Sequence, residues 1–105
     1  MDLNADHIAK LEQMRANGFE IVAFPMYATY IGLRKANCAA LVEPLPDGQF
    51  KIIGRPCVLI GQNFSVRVRQ SNRDYFVWKQ EKLEATPRLL QDLAIFSEEL
   101  QRLLA

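Results

Sequence analysis

Between Phe19 and Gln80 the chain consists of short runs rich in Val, Ile, Phe and Tyr, broken by Pro, Gly, Asn and Asp. Neighbouring strands of a parallel sheet need a connection of a dozen or more residues, and the links between these runs are shorter. This stretch is therefore restricted to an antiparallel sheet. The runs predict strands at Glu20 to Phe24, Thr29 to Arg34, Cys38 to Glu43, Phe50 to Gly54, Val58 to Ile60, Ser65 to Arg69 and Tyr75 to Lys79. Leu45-Pro46-Asp47-Gly48 has the order of a tight turn, and Ser71-Asn72-Arg73-Asp74 separates two alternating segments, so both mark hairpins. Tyr27 to Leu41 has two readings, a pair of strands turning at Lys35-Ala36-Asn37 or a helix. The stiff Thr29-Tyr30-Ile31 run favours the strands.

Helical periodicity brackets this region. Ile8, Leu11 and Met14 recur at three-residue intervals, Asn4 or Asp2 can cap the segment, and Asn17-Gly18 closes it, which predicts a short rim helix from Ala5 to Asn17. At the other end Thr86-Pro87 supplies a capping hydroxyl and a proline at the first helical position. Leu89, Leu93, Phe96, Leu100 and Leu103 then follow with spacings of 4, 3, 4 and 3, and Leu90, Ala94, Ile95 and Leu104 widen the stripe. With 105 residues, half of them hydrophobic, the chain suits one domain spanning residues 1–105. The expected architecture is α+β: a twisted antiparallel sheet of about five to seven short strands, flanked by an N-terminal helix and a longer C-terminal one.

Thirteen Lys and Arg face twelve Asp and Glu, so no global field draws the chain to nucleic acid or an anionic membrane. The charge is uneven, however. Residues 51–82 hold seven basic side chains and two acidic ones. No apolar run reaches the roughly 20 residues that span a bilayer. The acidic start, Met1-Asp2-Leu3-Asn4-Ala5-Asp6, lacks the form of a secretory signal, which implies the cytoplasm. In a reducing compartment Cys38 and Cys57 read as small core residues. Cys57 lies in an apolar run, whereas Cys38, beside Asn37, is the better candidate for a reactive thiol, as in a thiol-based enzyme or redox sensor.

Catalytic patterns are otherwise missing: no phosphate-binding glycine loop, nucleophile elbow or zinc-protease helix occurs, and no cofactor is implied. His7, the one histidine, sits in the first turn of a helix, where a solvated imidazole is the expectation. One His and two distant Cys fall short of a structural zinc site. Glu98 and Glu99 point in different directions on a helix, and Arg102 is placed for an ion pair with Glu98.

Two surfaces attract a functional reading. In the hairpin from Phe64 to Gln80, Phe64, Val66 and Val68 alternate with Ser65, Arg67 and Arg69. If Phe76 and Trp78 point inward with Cys57, Val58, Leu59 and Ile60, then Tyr75, Val77 and Lys79 join Arg67 and Arg69 outside. Together with Arg73 they would form a basic and aromatic patch suited to single-stranded nucleic acid. The alternative is a solvated face on which arginine stems cover aromatic surface. The second surface is the flank of the C-terminal helix. Leu90, Ile95 and Leu104 lie off its central seam, more than one sheet covers easily, which points to a homodimer. The sequence thus favours a small non-enzymatic protein–protein interaction module that dimerises, with the nucleic-acid binder as the alternative.

Overall fold

The computed structural model describes residues 3–105, so the alternative cap Asp2 lies outside the described residues. The chain is α+β, with helices α1 (Ala5–Ala16) and α2 (Pro87–Leu104) around eight antiparallel strands in two sheets. The larger sheet is a meander of β1 (Glu20–Val22), β2 (Ile31–Lys35), β3 (Cys38–Pro44), β4 (Phe50–Ile60) and β5 (Asn63–Phe64), each strand paired with the one before it. The smaller sheet is β6 (Val66–Gln70), β7 (Arg73–Trp78) and β8 (Glu81–Glu84). No helix among the described residues is long and apolar enough to cross a membrane.

The segment from Tyr27 to Leu41 holds two strands, β2 and the start of β3, with a turn at Ala36-Asn37 and no α-helix, but Pro25–Tyr27 makes a 3₁₀ turn and of the Thr29-Tyr30-Ile31 run only Ile31 lies in β2. The two segments expected at Phe50 to Gly54 and Val58 to Ile60 are one strand. While β3 advances from Ala39 to Leu41, β4 goes from Cys57 to Ile53, so Gly54, Arg55 and Pro56 bulge out and the proline is tolerated. β8 was not expected, because Glu81-Lys82-Leu83-Glu84 has a single apolar residue. All four residues are exposed, as suits a short charged edge strand. The β6–β7 turn has Ser71 and Asn72 both at positive φ (51° and 65°), the backbone of a two-residue hairpin turn that follows strand twist.

β3 is the centre of the fold. Cys38 through Val42 are all buried, because both faces of the larger sheet are covered. On one face Leu33, Cys38, Ala40, Val42 and Val58 meet Leu11 and Met14 of α1, Phe96, Leu100, Leu103 and Leu104 of α2, and Phe76 of β7. On the other, Ala39, Leu41, Cys57 and Leu59 pack under Phe24, with Tyr30 and Phe64 beside them. The link after β1 thus folds back as a cover.

His7 departs from expectation. It is 2% exposed, because the buried seam of α1 is His7, Leu11 and Met14 at spacings of 4 and 3, which leaves Ile8 outside. The Asn4 side chain caps Asp6 and His7 N–H, while Asn4 N–H donates to His7 Nδ1 at 3.0 Å. His7 Nε2 lies 3.0 Å from the Gln49 carbonyl, so the ring is satisfied as the Nε2–H tautomer, and it packs on Phe50. Lys10 reaches the Leu104 and Ala105 carbonyls at the end of α2, at 3.4 and 3.3 Å. Lys35 completes the helix contacts by pairing with Glu99 at 2.6 Å and donating to the Asn17 carbonyl.

Candidate functional site

The basic hairpin does not form a single surface. In an antiparallel pair, directly opposed residues share a face, and the register sets Arg67 against Phe76, Val68 against Tyr75 and Arg69 against Asp74. Arg67 and Arg69 are exposed and lie on the side opposite Val66 and Val68, but that side belongs to Phe76, the residue in the core. Tyr75 and Val77 are on the other face, with Val66 and Val68. The expected patch therefore had the wrong phase for β6, whereas Phe76 of β7 points inward as expected. β6 is an edge strand whose valines reach no core, and only β7 brings an aromatic residue against α2 and β4.

The basic groups are also mostly occupied. Arg67 pairs with Asp74 at 2.7 Å, and this bond holds the Asp74 carboxyl below its ordinary range. Arg73 lies 3.7 Å from Glu84. Lys79 is outside β7, in a two-residue turn at φ 54°, with its ammonium 4.6 Å from the Trp78 ring centre. Lys82 covers the Tyr75 ring at 4.4 Å. Among the described residues Arg69 alone of the five candidates has neither an ion pair nor an aromatic partner.

Of the helix-flank residues, Leu104 is buried within the chain itself and Leu90 packs against the same core. The N-terminal helix supplies part of the cover that a second copy was expected to give. Ile95 remains, 56% exposed. Arg102 approaches Glu99 at 4.0 Å, one helical step from the expected Glu98.

Both thiols are buried, and they lie on opposite faces of the larger sheet. Burial, then the Asp92 and Cys57 charges, pushes the Cys38 thiol up to about 11 from an ordinary 9.0. Burial raises Cys57 as well, partly offset by hydrogen bonds with Ser65. Both cysteines are thus the small core residues the sequence suggests, and a thiol kept protonated is a poor nucleophile, which speaks against the alternative of a reactive Cys38. The unfolded chain loses this proton near pH 9 and the folded chain only near 11, so stability falls as pH rises through that window and is unaffected below it. Cys38→Ala should flatten the alkaline limb of a stability–pH curve measured by urea unfolding; an unchanged limb would contradict the assignment. No three His, Cys, Asp or Glu side chains gather to hold a metal ion among the described residues.

The surface that does gather is apolar. The cover over the second face of the larger sheet ends in Phe24-Pro25-Met26-Tyr27, and its outer rim meets the junction of the two sheets in a cleft of about 210 Å³. Phe64 stands in the middle. Its ring is 4.6 Å edge-on from Phe24 and 5.4 Å from Tyr27. Trp78, Val77 and Val66 form the opposite wall. Trp78, expected in the core, is only half-buried, because it ends β7 beyond the last core position. Met26 is 78% exposed and Val66 65%. Sequence reasoning missed this site because it treated residues 25–28 as a plain connection. The signal was present: four consecutive large apolar or proline residues in a link with no Gly, Asn, Asp or Ser. Comparison with protein-family models, curated proteins and solved structures finds no match to the chain.

Proposed function

We propose that the chain is a non-enzymatic protein-binding module whose partner docks at the aromatic cleft. One observation carries this reading: Met26, Tyr27 and Val66 are exposed side by side around Phe24, Phe64 and Trp78. Scattered exposed apolar residues are ordinary, but a contiguous apolar patch marks an interaction surface, and aromatic residues and Met are the types enriched in such surfaces. The volume argues for a side chain as occupant. About 210 Å³ is below the roughly 300–1,000 Å³ of small-molecule and cofactor sites. The exposed, unbranched Met26 can adapt to the shape of what enters.

Peptides selected from a random displayed library on the immobilised protein test the proposal. Recovered peptides should carry a large apolar anchor. Met26→Glu should weaken them at least tenfold, about 1.4 kcal/mol, while changing stability by less than about 0.5 kcal/mol. Peptides that bind wild type and Met26→Glu equally would overturn it.

A further inference from the structure

Among the described residues the strand β6 has β7 on one side and no strand on the other, so its second row of backbone N–H and C=O groups has no ladder partner there. Beside its start the β4 bulge stands away, and the space between them is a cleft of about 350 Å³ with Phe76, Leu93 and Cys57 inside and Arg55 and Arg67 at its margin. Arg69 follows along the same strand. Among the described residues Arg55 and Arg69 have no ion-pair partner, and Arg67 has one, Asp74. An open strand edge, a recess lined by Phe76 and Leu93, and three arginines, two lining that recess and one further along β6, thus occur together.

We infer that β6 accepts an extended acidic segment of a protein partner as an added strand, with carboxylates beside Arg55, Arg67 and Arg69 and one apolar side chain in the recess over Phe76 and Leu93. This rests on the reading of the chain as a protein-binding module and names the chemistry of its partner. In strand addition the main-chain ladder supplies affinity and alternate side chains supply specificity. Charge selects the occupant. A second copy of β6 paired antiparallel about Val68 would set Arg67 against Arg69 of the other copy twice, and like charges directly opposed are destabilising. The same arginines repel basic strands and complement an acidic one.

The probe is a fluorescein-labelled nine-residue peptide of alternating Glu and Val with a central Leu, compared with its Lys counterpart by fluorescence anisotropy. The acidic peptide should bind at least tenfold more tightly than the basic one, and added salt should weaken it. Arg55→Glu with Arg69→Glu should weaken the acidic peptide at least tenfold and turn the preference toward the Lys peptide, a gain that a misfolded variant would not show. Hydrogen exchange should slow at Val66–Gln70 when the acidic peptide is bound. Equal affinity for the two peptides, no binding of the acidic one, or protection confined to other strands would overturn strand addition. Met26→Glu separates the two proposals. Library peptides that lose binding in Met26→Glu, together with no binding of the acidic peptide, keep the cleft reading while strand addition falls. Acidic-peptide protection of β6 without any Met26-dependent peptide refutes the cleft and keeps the edge.

Discussion

Gly32→Ala should be among the most damaging single-methyl additions in this chain. A Cβ at Gly32 would lie 2.4 Å from the Phe24 ring and 2.4 Å from the Val22 carbonyl oxygen, both well inside contact distance. The ring could move, but the carbonyl belongs to the neighbouring strand, since Val22 is paired with Gly32 in the β1–β2 register. Relief therefore requires β1 to separate or the Phe24 cover to lift from Ala39 and Leu41. Overpacking of this kind costs about 3 kcal/mol, a large share of the stability of a domain this size. The melting temperature should fall by roughly 15 °C. A loss below about 1 kcal/mol would show that the cover is not held against the sheet. The same lift would open the aromatic cleft, so Gly32→Ala should also impair peptide binding at Met26.

Phe76→Ala should cost about 3–5 kcal/mol, the usual range for removing a fully buried ring. Phe76 is 1% exposed and is the one residue of β6, β7 and β8 in the main core. Its loss removes the tie between the smaller sheet and α2. Trp78→Ala, two residues along on the same strand, removes a larger ring but a half-buried one, and should cost about 2 kcal/mol. Urea unfolding of the two variants checks the order. A Trp78 variant less stable than the Phe76 variant would contradict the placement of the smaller sheet.

The sequence showed the fold where a residue's surroundings are set by its near neighbours in the chain. Thr86-Pro87 and the spacing from Leu89 to Leu103 define α2, and the short links between β-branched runs fix antiparallel pairing. What it concealed depends on residues distant in sequence. Strand alternation says that Arg67 and Val68 face opposite ways but not which way the core lies, and the core lies with Phe76, on the arginine side. His7 looked solvated because a polar ring is buried only where partners meet it, and one of those partners is Gln49, 42 residues away. Leu104 seemed surplus for the same reason: it shares the core with α1, from the other end of the chain. The aromatic cleft is assembled from three separate segments, around residues 24–27, 64–66 and 77–78. Only the first is unusual in isolation.

Pairing each strand with its predecessor sets an order of assembly. Such local ladders close short loops, so their entropic cost is small and they lead to fast folding. The reach of Lys10 to the carbonyls of Leu104 and Ala105 is the opposite case, bridging residues 94 and 95 apart. That clasp needs α1 and α2 both in place, so the meander should collapse first and α2 should dock afterwards. Substitutions at the α1–α2 contact should therefore speed unfolding with little effect on the folding rate, whereas changes in the β2–β3–β4 ladder should slow folding itself.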